Sequence, residues 1–379
     1  MKKNNLLKSP AVQSLIASLL CIVLGLLIGY VVLLFINPAG AGQAILAVVK
    51  NFLNSSRANL RMKNLGNTLV KTAPLLMCSL SVLFAYKVGL FNIGAAGQFV
   101  AGSCACLISS LGWGWSWLPC LIFAIVVGAI YGAIVGLLKS YCNVNEVIAG
   151  IMLNWIGLYT ANMILNSVKE PTSPYTLHVA SEAPQAILPS LGLDELFNGN
   201  RYVTIAIPLA IILAFVIMVL LNKTKLGYEL KATGNNKNAA KYAGMAEKRN
   251  IILTLAIAGA LAAMAGAFLY LTDYEQWSCS QSSVPGMGFN GIAAAFLGGL
   301  HPIGAIFSSY FIQHITNGGA YVDLTMYSSQ ISDLISSLII YLCGFVLFIK
   351  YAMNKGIAKR EERLAHMAAA QSGKGGDEA

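Results

Sequence analysis

The side chains able to do chemistry are few in this 379-residue chain, and their spacing excludes more than it permits. The four histidines are scattered and none of the eight cysteines forms a CxxC pair, so no metal-ligand or redox spacing is present. The cysteines (21, 78, 104, 106, 120, 142, 279 and 343) fall almost entirely in apolar runs and read as small core residues. No Ser/His/Asp or paired-carboxylate set shares a region. No GxxxxGK[ST] phosphate cradle occurs, so the chain shows no means of hydrolysing ATP itself. His301, before Pro302 in a Gly-rich break, reads as a turn residue. Lys71, Glu146 and Asp333 are the ionisable groups nearest membrane depth, where such residues are functional candidates by default. For Glu146 and Asp333, at span ends, interfacial solvation is the simpler reading; Lys71 can snorkel outward.

One stretch has the composition of a solute site. Gly89–Gln98 carries glycines at 89, 94 and 97 and amides at Asn92 and Gln98, flanked by apolar runs. Glycines permit unwound backbone, and amides can bond a polar solute where irregular backbone lines a cavity. The alternative is a tight turn whose glycines serve helix packing. Phe91-Asn92 with Ala95-Ala96 recurs 198 residues later as Phe289-Asn290 with Ala293-Ala294. The two windows fall at opposite ends of their spans, as an inverted repeat requires. Two aromatic rings and two amides would suit a flat, polar-edged ring such as a nucleobase.

These residues need a membrane-embedded scaffold. The chain is 57% hydrophobic and 11% charged, about half the charge of a soluble domain. The expected fold is all-α and polytopic, with about 10 transmembrane helices at roughly 20 residues each. They are placed at 15–36, 66–86, 92–112, 118–138, 145–166, 203–222, 250–272, 290–303, 304–320 and 331–351, with a candidate inverted repeat of spans 2–5 and 7–10. Gly298, Gly299 and Pro302 interrupt 290–320, which reads as two short helices or a re-entrant hairpin. An even span count puts both termini in the cytoplasm, and the basic residues then divide 18 inside to 6 outside. This bias explains the net charge of +10 without a nucleic acid polymer as partner. The basic segment 50–63 is anomalous and is expected as an amphipathic helix on the outer side.

The expected organisation is a cytoplasmic N-terminus (1–14), a permease domain (15–351) and a cytoplasmic tail (352–379). Two loops are long enough to meet partners: 169–201 outside and the basic 223–249 inside. In the inner loop, Gly234 and Asn235 break one helical stretch, Asn236 caps a second running to about Ala243, and Gly244 ends it. Ala239, Ala240 and Ala243 give the second helix a surface of small residues. It reads either as a docking knob or as a basic loop beside lipid headgroups.

GLFNIGAAGQF (89–99), NEVIAGIMLNW (145–155), GYELKATGNNKNAAKYAGM (227–245) and GMGFNGIAAAFLGGLHPIGA (286–305) occur in order along the chain. Together they resemble the membrane subunits of ATP-binding-cassette importers of the branched-chain amino acid/ribose type. Within them, the chain is most similar to the nucleoside permeases that work with basic-membrane-protein-type binding lipoproteins. The resemblance implies a permease subunit of the bacterial plasma membrane. It binds no cofactor itself and depends on a cytoplasmic ATPase that uses ATP, a second permease and an extracytoplasmic binding lipoprotein. It implies a coupling helix in the inner loop, carried by Glu229, Ala232, Gly234, Asn236, Ala239, Ala240 and Gly244. The expected substrate path is Phe91, Asn92, Gln98, Asn145, Glu146, Asn154, Phe289 and Asn290. The family stretch commonly reads N-I-G-x-E-G-Q, and Ala96 stands here where Glu is expected, which puts the solute in question more than the architecture. Sugar or branched-chain amino acid permeases remain alternatives, as do an ion-coupled secondary carrier and an integral-membrane lipid enzyme.

Overall fold

In the computed structural model the described residues are 10–356, except 329 and 347, together with 359. The described residues are mostly helical, and the only β-structure among them is two isolated bridges. The long helices are α1 (Pro10–Ile36), α2 (Ala41–Lys50), α3 (Ala58–Lys87), α4 (Ala95–Leu107), α5 (Trp117–Cys142), α6 (Glu146–Leu165) and α7 (Ala206–Lys223). There follow α8 (Lys225–Asn235), α9 (Lys237–Tyr242), α10 (Glu247–Tyr270), α11 (Gly286–Leu297), α12 (Pro302–Gly318) and α13 (Ile331–Cys343).

Seven helical segments among the described residues are long and apolar enough to cross a membrane, from Ile16–Ile36 to Glu247–Tyr270. They match the first seven expected spans. The count of ten is not reached on length. The 12 residues of α11 rise only about 18 Å, well short of a hydrocarbon core of about 30 Å. Gly299 and Leu300, both at positive φ, turn the chain between α11 and α12, and the amide of Ala305 folds back on the carbonyl of His301. The 290–320 region is therefore a pair of unequal helices around a glycine break. The anomalous segment 50–63 also divides. Its first part closes the short helix α2, whereas Arg61 and Lys63 belong to the first turns of α3, a 30-residue helix that begins before the expected 66. The expected N-terminus before residue 10 and most of the expected tail lie outside the described residues.

Burial sorts the helices. The membrane segments of α3, α4 and α10 are mostly enclosed, whereas α1, α5, α6 and α7 leave most of their apolar surface outward. Outward leucines, isoleucines and valines along α1 and α5 suit lipid as their solvent. Two apolar clusters make the interior. One joins α3, α4, α5 and α10; the other joins α1, α2, α12 and α13, and α11 contributes to both.

Small residues set the tightest crossing. Gly128, Gly132 and Gly136 repeat every fourth position and face α10. A Cβ on Gly132 would stand 2.1 Å from the Leu255 carbonyl oxygen, and one on Gly128 would stand 2.1 Å from the Ala263 methyl. Membrane helices gain from such backbone approach because packing, and not the hydrophobic effect, holds them together. Gly132→Leu is expected to lower stability by the upper end of the about 1–3 kcal/mol typical of overpacking. Thermal unfolding of the purified protein checks this. The substitution Gly42→Leu, where nothing lies within 4 Å, is the matched control.

Candidate transport path and coupling surface

The amides expected at the helix break are bonded to protein groups in this structure. Between α3 and α4 the chain leaves the helix at Val88–Gly94. Asn92 Nδ2 donates to Ser81 Oγ at 2.9 Å and to Gln98 Oε1 at 2.7 Å, and Gln98 Nε2 returns a bond to Asn92 Oδ1 at 3.2 Å. From α6, Asn154 closes the set: its Oδ1 accepts from the Gly97 amide at 2.7 Å and its Nδ2 donates to the Ile93 carbonyl at 3.1 Å. Asn92, Gln98 and Asn154 are all buried. Unwound backbone inside a bundle needs such partners, because an unpaired buried polar group costs about 1–3 kcal/mol. The three amides thus hold the break in one conformation, and their hydrogen bonds go to protein.

The other expected path residues separate. Asn145 is exposed and caps α6, accepting from the Val147 amide at 2.8 Å. Glu146 pairs with Lys139 at 2.5 Å. Phe91 is half-buried and Phe289 exposed, with no ring contact between them among the described residues. The two halves of the sequence echo nevertheless meet through their backbones. A Cβ on Gly288 would lie 2.4 Å from Ala96 Cα. Ala96 is fully buried there, so a glutamate in its place would need this crossing to open. His301 acts as a turn residue, its Nδ1 accepting from the Ile303 amide at 3.3 Å.

The inner loop folds as its caps require. Thr224 opens α8 by accepting from the Gly227 amide, and Asn236 opens α9 by accepting from the Ala239 amide, each at 3.0 Å. Gly244, at φ +78°, ends α9. Leu230 and Thr233 bury α8 against the bundle, and Asn250 of α10 donates to Thr233 Oγ1 at 2.8 Å. Ala232 is half-buried, and Glu229 keeps a loose 3.7 Å pairing with Lys225. On α9, Ala240 faces inward while Ala239 faces out. Tyr242 is 93% exposed at the end of the knob. Exposed tyrosines are enriched among the residues that anchor protein interfaces. Tyr242 stood in the sequence with no signal beyond being the aromatic of the short helix.

The knob and the helix break are joined by backbone. A Cβ on Gly234 would fall 1.7 Å from the Val88 carbonyl oxygen, and one on Gly89, at φ +78°, would fall 2.8 Å from the Gly234 oxygen. Gly89 opens the segment that Asn92, Gln98 and Asn154 hold. Motion of the inner loop therefore reaches the break through a contact with no side chain to absorb it.

At the other end of α3, about 24 Å along the helix from Lys87 to Lys71, lies an open cavity of about 490 Å³. Asn64, Asn67, Lys71, Tyr274, Asn317 and Asp333 are among its lining residues. Lys71 pairs with Glu275 at 2.6 Å and lies over the Tyr274 ring. Two of the three flagged ionisable residues therefore share one cavity. The amides were legible too: Asn64, Asn67 and Lys71 recur at i, i+3 and i+7, one helix face. Lys71 is flagged by its charge alone, and Asn64 falls just outside the expected span 66–86, which hides the shared face. Over this end folds the loop 169–201, tied down by Asp273, which accepts from the Val179 amide at 3.0 Å, and by Asn200, which donates to Asn67 at 2.8 Å. The same loop leaves Leu191 and Leu196 strongly exposed.

Residues 64–344 match the family model described as the branched-chain amino acid transport system / permease component. The nucleoside ABC transporter permease protein NupB of Lactococcus lactis subsp. cremoris is 31% identical over 363 residues, covering 91% of this chain and 95% of that one. The guanosine ABC transporter permease protein NupP of Bacillus subtilis is 30% identical over 346 residues, covering 90% and 96%. A second guanosine ABC transporter permease protein of Bacillus subtilis, NupQ, is 26% identical over 254 residues, covering 64% and 77%. No solved structure matches the chain. The chain is a multi-pass membrane protein and a transport subunit, not an enzyme, and it belongs to the branched-chain amino acid transport system permease family.

Proposed function

We propose that this chain is a permease subunit of an ATP-driven importer that carries nucleosides into the cell. The observation that carries the coupling is the α8–α9 knob, exposed at Tyr242 and fixed through Gly234 to the break at Gly89. A separate cytoplasmic ATPase holds the knob and supplies the ATP chemistry, while this chain binds no cofactor. The solute class rests on relatives named for nucleosides and guanosine at 30–31% identity over about nine-tenths of the chain. Bacillus subtilis has two guanosine permeases similar to this chain, which supports pairing with a second, different permease. The binding lipoprotein docks on the opposite face, where Leu191 and Leu196 stand exposed on the folded loop 169–201. The basic bias of the loops supports a plasma-membrane orientation with both termini in the cytoplasm.

In mechanism, the solute is handed over at the outer face while the inner break is sealed by its amides. ATP binding by the partner shifts the knob, the contact at Gly89 moves, and the Asn92–Gln98–Asn154 set rearranges to open the path inward. Phe91, Phe289 and Asn290 border the moving segments and are the residues the solute passes next.

Co-expression with the ATPase and affinity purification test this reading. Tyr242→Asp is expected to reduce the retained ATPase about tenfold or more, with thermal stability of the permease unchanged because the side chain touches almost nothing. Retention at the wild-type level would place the ATPase elsewhere.

A further inference from the structure

We propose that the cavity at the outer end of α3 is a solute-binding site for neutral ribonucleosides, with Asp333 accepting the ribose diol; the solute class rests on the nucleoside reading above. The volume of about 490 Å³ lies within the about 300–1,000 Å³ of small-molecule sites. The lining is polar in a particular way. Asn64 Nδ2 is occupied by Ser55, which leaves its carbonyl oxygen as an acceptor. Asn67 Oδ1 is occupied by Asn200, which leaves its amide hydrogens as donors. Asn317 adds an amide with both functions. Together they offer donors and acceptors to the edge of a base, which carries both.

Charge decides between nucleoside and nucleotide. The Lys71 ammonium is held by Glu275 at 2.6 Å, so its charge is already balanced. The Asp333 carboxylate, in the first turn of α13, has no ion pair or side-chain hydrogen bond among the described residues. The cavity therefore repels a phosphate. A carboxylate accepts both hydroxyls of a vicinal diol, which is how acidic residues hold the ribose of dinucleotides. The Tyr274 ring, which lines the cavity with Lys71 at 5.4 Å from its centroid, adds apolar aromatic surface to the lining.

The test uses the whole importer complex in nanodiscs without the binding lipoprotein, with radiolabelled guanosine as the probe. Unlabelled guanosine is expected to displace the label, whereas 2′,3′-dideoxyguanosine and guanosine 5′-monophosphate compete at least about tenfold less well. Asp333→Asn weakens guanosine about tenfold and leaves the dideoxy compound nearly unchanged. The wild-type ligand series stands even where the variant fails to fold. Equal competition by the dideoxy compound, or unchanged binding in Asp333→Asn, would overturn the site, and ATP-driven guanosine uptake by proteoliposomes of the same complex supplied with the binding lipoprotein would show that the nucleoside reading survives it. Absence of any nucleoside binding or uptake by the wild-type complex would overturn both.

Discussion

Gly234→Val is expected to abolish ATP-driven uptake while the ATPase still co-purifies with the permease. The β-carbon would enter at 1.7 Å from the Val88 carbonyl oxygen, with the carbonyl carbon at 2.3 Å. An ordinary contact needs about 3.5 Å. Both neighbours are backbone atoms of the turn after α3, so no rotamer relieves the clash and the inner loop must separate from the break. The docking surface on α9 begins three residues further on and keeps its own caps, Asn236 and Gly244. Binding and coupling therefore come apart. Gly244→Asn serves as the control. It lies in open space at φ +78°, a conformation asparagine accepts, and is expected to retain most of the uptake. Wild-type uptake by Gly234→Val would break the link between knob and helix break.

Asn154→Leu is the second large effect, and it falls on stability before function. The substitution strands the Gly97 amide and the Ile93 carbonyl, both inside the bundle. At about 1–3 kcal/mol for each unpaired group, the loss is about 2–6 kcal/mol, against a typical total of about 5–15 kcal/mol. Leucine also brings a branched carbon against Gly97, whose backbone packs directly on Asn154. A fall of many degrees in thermal unfolding and poor recovery from membranes are expected. Asn145→Ala, nine residues earlier, removes only an exposed cap and costs about 1 kcal/mol. If the two variants unfold at similar temperatures, the amides do not hold the break.

The contrast between these two asparagines shows how far the sequence could be read. Amides beside glycines in an apolar chain mark a helix break, and the break is there. Whether these amides bond a solute or the protein depends on packing that local pattern does not encode: Asn92 turns to Ser81 and Gln98, and Asn154 of α6 reaches the backbone at Ile93 and Gly97. The inner loop was legible in detail because caps are local: Asn236 and Gly244 act where their residue types predict. The first seven spans were legible from apolar length alone. The α11–α12 pair was not resolved by it, because a 12-residue helix in a glycine-rich run has too little apolar length to state whether it spans. The cavity at the N-terminal end of α3 is not evident from the expected boundaries, since Asn64 falls between the amphipathic helix expected at 50–63 and the span expected at 66–86, whereas one helix runs through Ala58–Lys87.

The central claim is that transport runs on ATP hydrolysed by a partner that grips the inner loop. Proteoliposomes holding this permease, its partner permease and the ATPase, supplied with binding lipoprotein and labelled guanosine, test it directly. Uptake is expected only with ATP inside the accessible ATPase compartment, insensitive to proton and sodium gradients, and lost in Tyr242→Asp. Guanosine uptake driven by an ion gradient through this chain alone, with no ATPase present, would contradict the account.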